Sequence, residues 1–242
     1  MALSSDVILE ALLEVQAADL VADQLRHTRE SIPERALRAD QLRALAALDE
    51  KGRTTAVHFH DLDRAQRRQE DEIATVTAKI TDIDRSLYSG TVSSPRDLQA
   101  MQAEIEALTR RRALMEEKLI EVMEEAEPLG VALAGIEETT AVHQAEAERL
   151  GFLIAEAEQA IDGELSDVTA RRDALAAGVP RDLMVTYERL RARLGGVGIS
   201  RLEAGRCLGC HLALPSGELD AIRHAAPGAI LFHEECGRLL VR

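Results

Sequence analysis

Apolar residues recur every three or four positions over most of the chain, which is the spacing of helices that pack along one narrow face. From Ser94 onward this spacing continues for about eleven heptads. Its apolar positions are Leu98, Met101, Ile105, Leu108, Met115, Leu119, Val122, Ala126, Leu129, Leu133, Ile136, Ala147, Leu150, Ile154, Ala157, Ile161, Val168 and Leu175. We expect polar residues in the same stripe, where they fix register, at Arg112, Thr140, His143, Glu164 and Arg171.

A second stripe with the same spacing ends just before the first begins. It consists of Phe59, Leu62, Gln66, Gln69, Ile73, Val76, Ile80, Ile83 and Leu87, approached through Leu37, Leu42, Leu45 and Leu48. Gly90 favours a helix end, and Ser94 with Pro95 favours a helix start. The short turn at about 89–94 predicts antiparallel helices over 34–88 and 95–176, whose facing residues have numbers that sum to about 185.

A shorter helix is expected before these two, at about residues 6–30. Ser31 and Glu34 form a helix-start signal around Pro33, which a helix interior does not tolerate. We expect four leucines of the short helix to be buried, namely Leu9, Leu13, Leu20 and Leu25. The fold class predicted for residues 1–178 is therefore mainly α, a long antiparallel coiled-coil helical hairpin. Pro128 is expected to kink its last helix or loosen the turn around Glu124.

Composition and charge support this architecture. The chain is 46% hydrophobic but only 2% aromatic, whereas wide globular cores depend on large aromatic side chains. Its net charge of −14 is uneven, since residues 180–242 carry about +2 and the rest about −16. No apolar run approaches the ~18 residues of a membrane span, and the first residues lack the basic segment of a secretory signal. We therefore expect a cytoplasmic bacterial protein with no membrane partner.

The pattern changes after Ala177. Pro180 opens a short connecting helix within residues 179–196, which Gly195-Gly196 ends. Four residues share one face of this helix and should dock it, namely Leu183, Tyr187, Leu190 and Leu194. Residues 197–242 then predict short β-strands plus one short helix that begins at Ser216. So small a domain cannot fold on an apolar core alone.

The sharpest chemical signal in the chain is a metal-ligand spacing. Cys207 and Cys210 are followed, after 22 intervening residues, by His233 and Cys236. Two residues between ligands let a tight turn direct both side chains at one ion, and two such pairs are typical of a structural zinc ribbon. We expect one structural Zn2+ on these four residues, with Gly209 and Gly237 supplying backbone freedom. His211 and His224 stay open as alternatives to His233.

The order of these parts resembles the bacterial coiled-coil proteins with a C-terminal C4-type zinc ribbon. The resemblance rests on Leu12-Leu13-Glu14-Val15-Gln16, Tyr88-Ser89-Gly90 with Ser94-Pro95-Arg96-Asp97-Leu98, Cys207-Leu208-Gly209-Cys210-His211 and Glu234-Glu235-Cys236-Gly237-Arg238. The family has cysteine at all four ligand positions, so His233 is a departure that keeps a zinc-competent side chain. The resemblance implies an adaptor role, linked in flagellated lineages to chaperoning of flagellar regulators and to nucleic acid.

Three classes of function compete for this pattern. A non-enzymatic adaptor that binds a protein partner fits four protein ligands and a long helical surface, which could also pair with a second copy. An RNA- or DNA-binding regulator is the alternative. Its basic patch would consist of Arg189, Arg191, Arg193, Arg201, Arg206, Arg238 and Arg242, unless these arginines pair with nearby acids. We expect no enzyme, because nucleophile motifs, a phosphate loop and an open metal position are lacking.

Overall fold

The structure, a computed structural model, describes residues 5–226 and 229–242. Residues 1–4, on which the expectation of no secretory signal partly depends, lie outside this range. The helices in the described residues are α1 (Ser5–Glu30), α2 (Glu34–Tyr88), α3 (Pro95–Ala176), α4 (Arg181–Arg193) and α5 (Ser216–His224). The strands are β1 (Ile199–Glu203), β2 (Arg206–Cys207), β3 (Leu231–Phe232) and β4 (Leu239–Val241). The predicted mainly α fold, with a long helical hairpin and a small C-terminal region of short strands, is confirmed.

The chain forms two compact units. Residues 37–150 make up one unit, and the residues up to Ala36 together with Gly151–Arg242 make up the other. Helix α1 therefore shares a unit with the C-terminal strands. The domain limits expected at residues 178 and 196 stay predictions. In the described part of the chain, no helix is both long enough and apolar enough to span a membrane.

Helices α2 and α3 pack antiparallel within the unit of residues 37–150. Arg38 Nε donates a hydrogen bond to the Ala147 carbonyl at 3.3 Å, and Lys79 pairs with Glu104 at 2.8 Å. Both contacts match the expected sum of about 185. Every predicted stripe position from 59 to 87 in α2, and from 98 to 150 in α3, is buried or partly buried. These two stripes are the seam of the hairpin.

The approach to the seam in α2 differs from the prediction. Leu37 and Leu42 are about half exposed, so their expected place in the stripe is wrong. Gln41 takes that place, because its side-chain oxygen accepts a hydrogen bond from His143 Nδ1 across the seam. A polar pair thus replaces a leucine contact here, and His143 lies in the stripe as expected. Helix α3 runs as one element through Pro128.

The last part of α3 also departs from the predicted register. Glu164 and Arg171 are exposed, whereas Leu165 and Arg172 are partly buried. Ile161, Val168 and Leu175 remain partly buried as expected, so only the intervening position moves by one residue, from 164 to 165 and from 171 to 172. The expected stripe positions Glu164 and Arg171 are therefore wrong.

A small four-stranded sheet organises the other unit. Its strand order is β2-β1-β4-β3, with β1 and β4 parallel and the outer pairs antiparallel. One side chain cluster packs this sheet against α1 and α4. Its buried members are Leu9, Leu12, Val15, Val179, Leu183, Tyr187, Leu190, Ile199, Leu239 and Val241. The C-terminal strands therefore depend on apolar residues from the start of the chain.

Gln16 of α1 is a buried polar link to the sheet. Its Oε1 accepts hydrogen bonds from the backbone N–H groups of Gly198 and Ile199 at 2.8 and 2.9 Å, and its Nε2 donates to the Ile199 carbonyl at 2.9 Å. The amide thus satisfies backbone groups that have no strand partner on that side. Gly198 is required beside it, because a Cβ there would lie 2.9 Å from Tyr187 Cδ2.

A second polar contact joins α1 to α4. Tyr187 is fully buried, and its hydroxyl donates a hydrogen bond to Asp19 Oδ2 at 2.8 Å. Burial, followed by this hydrogen bond, raises the pKa of Tyr187 well above its ordinary value. Arg172 Nε also donates to Asp19, at 3.2 Å. Because Gln16 and Asp19 face inward, Leu20 is 41% exposed, and the prediction that it is buried is wrong.

Replacing Gln16 tests whether α1 holds the sheet. Gln16→Leu removes three hydrogen bonds and leaves buried N–H groups of Gly198 and Ile199 without acceptors, so we expect the free energy of unfolding to fall by about 2–5 kcal/mol. Gln24→Leu, at an exposed position of the same helix, should change it by no more than about 0.5 kcal/mol. Urea unfolding of the zinc-loaded variants, followed by circular dichroism, measures both. Equal stability of the two variants would contradict the role of Gln16.

Candidate metal centre

Four potential ligands meet in the C-terminal region, namely Cys207, Cys210, His233 and Cys236. Their ligand atoms all lie within 4.8 Å of one another. His233 Nδ1 is 2.9 Å from Cys236 Sγ and 3.3 Å from Cys210 Sγ. Ligands bound to a tetrahedral zinc at about 2.0–2.3 Å stand about 3.3–3.8 Å apart. The four atoms therefore lie close enough together for one ion to contact all of them.

Two similar turns present these ligands. In the first turn, which follows β2, the His211 N–H donates to the Cys207 carbonyl at 2.8 Å. In the second turn, between β3 and β4, the Gly237 N–H donates to the His233 carbonyl at 2.7 Å. The residue after each second ligand is left-handed, with φ of 63° at His211 and 70° at Gly237. This reversal brings both ligands of each pair to one side.

The two glycines of these turns have different roles. Gly237 supplies the left-handed backbone that the sequence predicts for it. Gly209 does not have a positive φ, so the reason predicted for this glycine is wrong. A Cβ at position 209 would lie 2.7 Å from Arg238 Cδ and 3.1 Å from Ser200 Cβ. Gly209 is therefore needed because two neighbouring side chains approach its backbone closely.

The surroundings of the first pair favour thiolate at Cys207. Burial opposes its ionisation, but hydrogen bonds from the Ser200 hydroxyl and from the N–H groups of Cys210 and Gly209 outweigh it, so its pKa is lowered. Burial and the neighbouring thiols of Cys236 and Cys207 raise the pKa of Cys210. Like charges this close repel, and a bound cation removes that repulsion. A bound cation would therefore stabilise thiolate at both cysteines of the first pair.

The donor set fits zinc. Cys207 and His233 are 0% and 1% exposed, and three thiols with one imidazole are a common zinc ligand set. The imidazole faces the thiols with Nδ1, while its Nε2 is buried without a hydrogen-bond partner in the described residues. Four protein ligands complete a tetrahedral shell, so a zinc ion here has no free position for water or substrate.

The two alternative histidines lie outside this group. The His211 side chain is exposed. Its backbone is the left-handed residue of the first turn. His224 ends α5, where its Nδ1 is 2.9 Å from the Asp220 carbonyl oxygen. The structure therefore brings His233, and neither of the other two, to the three cysteines.

Three residues that support the site were not singled out by the sequence analysis. Ser200 lies beside Cys207, and its hydroxyl lowers the pKa of that thiol. Glu218, which is buried on α5, accepts a hydrogen bond at 2.9 Å from the N–H of Glu234 in the second turn. The sequence analysis named Arg238 only as a member of the basic patch. In the structure its side chain donates hydrogen bonds to the Val197 and Leu194 carbonyls and connects the second turn to the end of α4. The roles of these three residues are visible only from their contacts in the folded structure, because the spacing of the ligands in the sequence does not indicate them.

The arginines of the expected basic patch fall into two groups. Four are held by contacts within the chain, namely Arg191, Arg201, Arg238 and Arg242. Asp23 and Glu10 pair with the first two, and backbone carbonyls accept hydrogen bonds from the others. Three are exposed and have no ion pair among the described residues, namely Arg189, Arg193 and Arg206. The structure does not bring the seven together as one free cationic surface.

Substitution of His233 tests the ligand set. His233→Ala leaves three ligands. Loss of a residue that only hydrogen-bonds a ligand lowers metal affinity about 10–100-fold, and we expect the loss of a ligand itself to lower zinc affinity by more than that. His233→Cys should keep zinc, because a thiolate is an equally suitable ligand. Competition with a chromogenic chelator measures the affinity, which should also fall as the pH is lowered, since the ligands bind deprotonated. His224→Ala is the matched control, and a loss of zinc from this variant would contradict the assignment.

Substitutions at the left-handed residues of the two turns should change the free energy of unfolding in opposite directions. His211→Gly removes the strain of a side chain at φ 63° and should raise the free energy of unfolding by up to about 1 kcal/mol. Gly237→Ala introduces that strain and should lower it by about 1–2 kcal/mol. Thermal unfolding with zinc present measures both changes. If both substitutions shift stability in the same direction, the conclusion that both turns depend on a left-handed residue after the second ligand is incorrect.

Comparison with known proteins agrees with this site and fold. A model of the CT398-like coiled coil hairpin domain matches residues 15–195, and a model of the C4-type zinc ribbon domain matches residues 206–240. An uncharacterized protein of Mycobacterium tuberculosis is 31% identical over 239 residues, which cover 96% of this chain and 94% of the relative.

Two solved structures are similar over 98% of both chains. The structure of a protein from Mycobacterium smegmatis has a TM-score of 0.84 at 26% identity. The structure of CT398 from Chlamydia trachomatis has a TM-score of 0.69 at 19% identity, which shows likeness of fold alone. The chain therefore belongs to the family of CT398-like coiled-coil hairpin proteins, and it ends in a C4-type zinc ribbon domain that here contains a Cys3His group.

Proposed function

We propose that this protein is a non-enzymatic adaptor, in which the helical hairpin binds a protein partner and one structural zinc ion holds the ribbon together. The observation that carries this proposal is the closed ligand group. Four protein ligands saturate a tetrahedral zinc, so the ion has no position at which to activate water or polarise a substrate. A reducing compartment, the cytoplasm, suits this site because it keeps the three thiols available.

Support for a protein partner comes from the hairpin surface. Two paired helices bury only one face of each, and residues 37–150 expose several large apolar side chains away from the seam. They are Leu37, Leu42, Val57, Tyr88, Leu114, Ile120, Met123, Val131 and Val142. Exposed apolar side chains that line up along a helix suit the binding of another helix.

Nucleic-acid binding through the ribbon is the weaker alternative. Arg189, Arg193 and Arg206 are exposed and could contact phosphate. Other arginines near them already pair with carboxylates of α1, as Arg191 does with Asp23. The low aromatic content also leaves few side chains for base stacking. Such binding would be electrostatic and would weaken steeply with added salt.

Capture of the full-length, zinc-loaded chain from its native cell tests the adaptor function. We expect specific proteins to be enriched over a tagged control of similar charge, and to stay bound after nuclease treatment. A charge-reversal variant, Arg189→Glu with Arg193→Glu and Arg206→Glu, should keep these partners, because the hairpin carries the binding surface. Enrichment of nucleic acid alone, abolished in this variant, would contradict the adaptor function and support the alternative.

A further inference from the structure

Helix α3 has a second apolar stripe, which the seam with α2 does not use. Ile120, Val131 and Val142 repeat at intervals of eleven residues, and a repeat of 3.67 residues per turn keeps them in line on one face. Three further apolar residues repeat with the same interval, and the six together are called the outer stripe. Its members are Ile120, Met123, Val131, Ala134, Val142 and Ala145, all of them exposed.

The outer stripe lies on the side of α3 that is opposite to the seam. At about 100° per residue, its members fall within an arc of about 100°, and seam residues such as Leu129 and Ala147 lie about 180° from its centre. Val131 and Val142 are 69% and 64% exposed. Within the described residues of this unit, α2 packs on the seam and leaves the outer stripe open to solvent. The stripe is long, since residues 120–145 extend about 38 Å at 1.5 Å per residue.

The same segment of α3 is strongly acidic. Residues 113–148 contain a single lysine, Lys118, and no arginine. The acidic residues there are Glu116, Glu117, Glu121, Glu124, Glu125, Glu127, Glu137, Glu138, Glu146 and Glu148. Glu127 and Glu138 repeat at the same eleven-residue interval inside the stripe, and neither has an ion pair or side-chain hydrogen bond among the described residues. Apolar contact and negative charge are therefore presented on one face.

Pro128 adds a backbone acceptor at the edge of this face. A proline has no N–H to donate, so the carbonyl of Glu124, four residues earlier, loses its intrahelical hydrogen bond. Glu124 is exposed, and its position four residues after Ile120 places it beside the outer stripe. Lysine or arginine side chains of a partner could bond both this carbonyl and the neighbouring carboxylates.

We propose that the outer stripe is the docking face for a basic amphipathic α-helix of a partner protein. The apolar side of that helix packs on Ile120, Val131 and Val142, and its lysines and arginines lie against Glu127 and Glu138. About seven turns of helix cover the stripe. This inference rests on the proposed adaptor function, for which it names the binding surface and the chemistry of the partner.

Charge decides between a basic helix and the other occupants. A second copy of this chain would place an identical acidic stripe against the first, and Glu127 and Glu138 would then face like charges. Nucleic acid would bring phosphates against the same carboxylates. A basic amphipathic helix satisfies both the apolar residues and the charges.

A peptide-binding experiment on the full-length, zinc-loaded protein tests the docking face. The probe is a fluorescein-labelled helical peptide of about 25 residues, with leucine and alanine on one face and lysine and arginine on the other, and its binding is followed by fluorescence anisotropy. Val131→Ser with Val142→Ser should weaken binding at least about tenfold. Glu127→Gln with Glu138→Gln should weaken it about threefold or more and reduce its salt dependence.

The matched controls decide whether the effect belongs to the stripe. Val185→Ser changes a valine on α4 that is 62% exposed, and it should leave peptide binding unchanged. A peptide with the same apolar face but glutamate in place of lysine and arginine should not bind. Equal binding to the Val131→Ser, Val142→Ser protein and the unmodified protein would overturn the proposal. Self-association that these two substitutions abolish would also overturn it, because a second copy would then be the occupant.

Capture from the native cell separates this inference from the adaptor function. Partners that the unmodified chain retains should be lost with Val131→Ser and Val142→Ser, and their cross-linked segments should be basic helices. If the partners remain bound to this variant, the docking face is wrong while the adaptor function stands. If the unmodified chain retains no partner, the adaptor function fails and the docking face fails with it.

Discussion

The C-terminal region depends on one constraint, which is that three thiols and one imidazole lie close enough together to share a metal ion. Its strands are only two to five residues long, and such short strands cannot hold a sheet together by their own hydrogen bonds. Zinc coordination contributes about 10–16 kcal/mol in small domains of this kind. The two turns that carry Cys207 and His233 lie next to the strands of the sheet, so zinc bound to them would stabilise the ribbon.

The metal does not act alone, because the sheet also needs α1. Leu12, Val15 and Gln16 lie in the stretch near the start of the chain that marks the family resemblance, and all three pack on the sheet or on β1. Residues from both parts of the chain thus share one core.

Sequence periodicity predicted the hairpin well, because a seam of apolar residues repeats over many turns and each repeat supports the others. The metal ligands could also be found, since two residues between ligands is a local pattern. Contacts between distant positions could not be found in this way. Gln16 and Asp19 are polar and look like surface residues, yet partners about 170–180 positions away satisfy them. The need for glycine at 209 arises from Arg238, which is close in space only.

The central claim is that the zinc ion is closed off by protein ligands and is therefore structural. X-ray absorption spectroscopy at the zinc edge on the full-length protein measures the ligand atoms directly. The account predicts three sulfur ligands at about 2.3 Å and one nitrogen at about 2.0–2.1 Å, with no oxygen ligand and no change when small anions are added. A shell with fewer than three sulfurs, or with an exchangeable oxygen ligand, would contradict it.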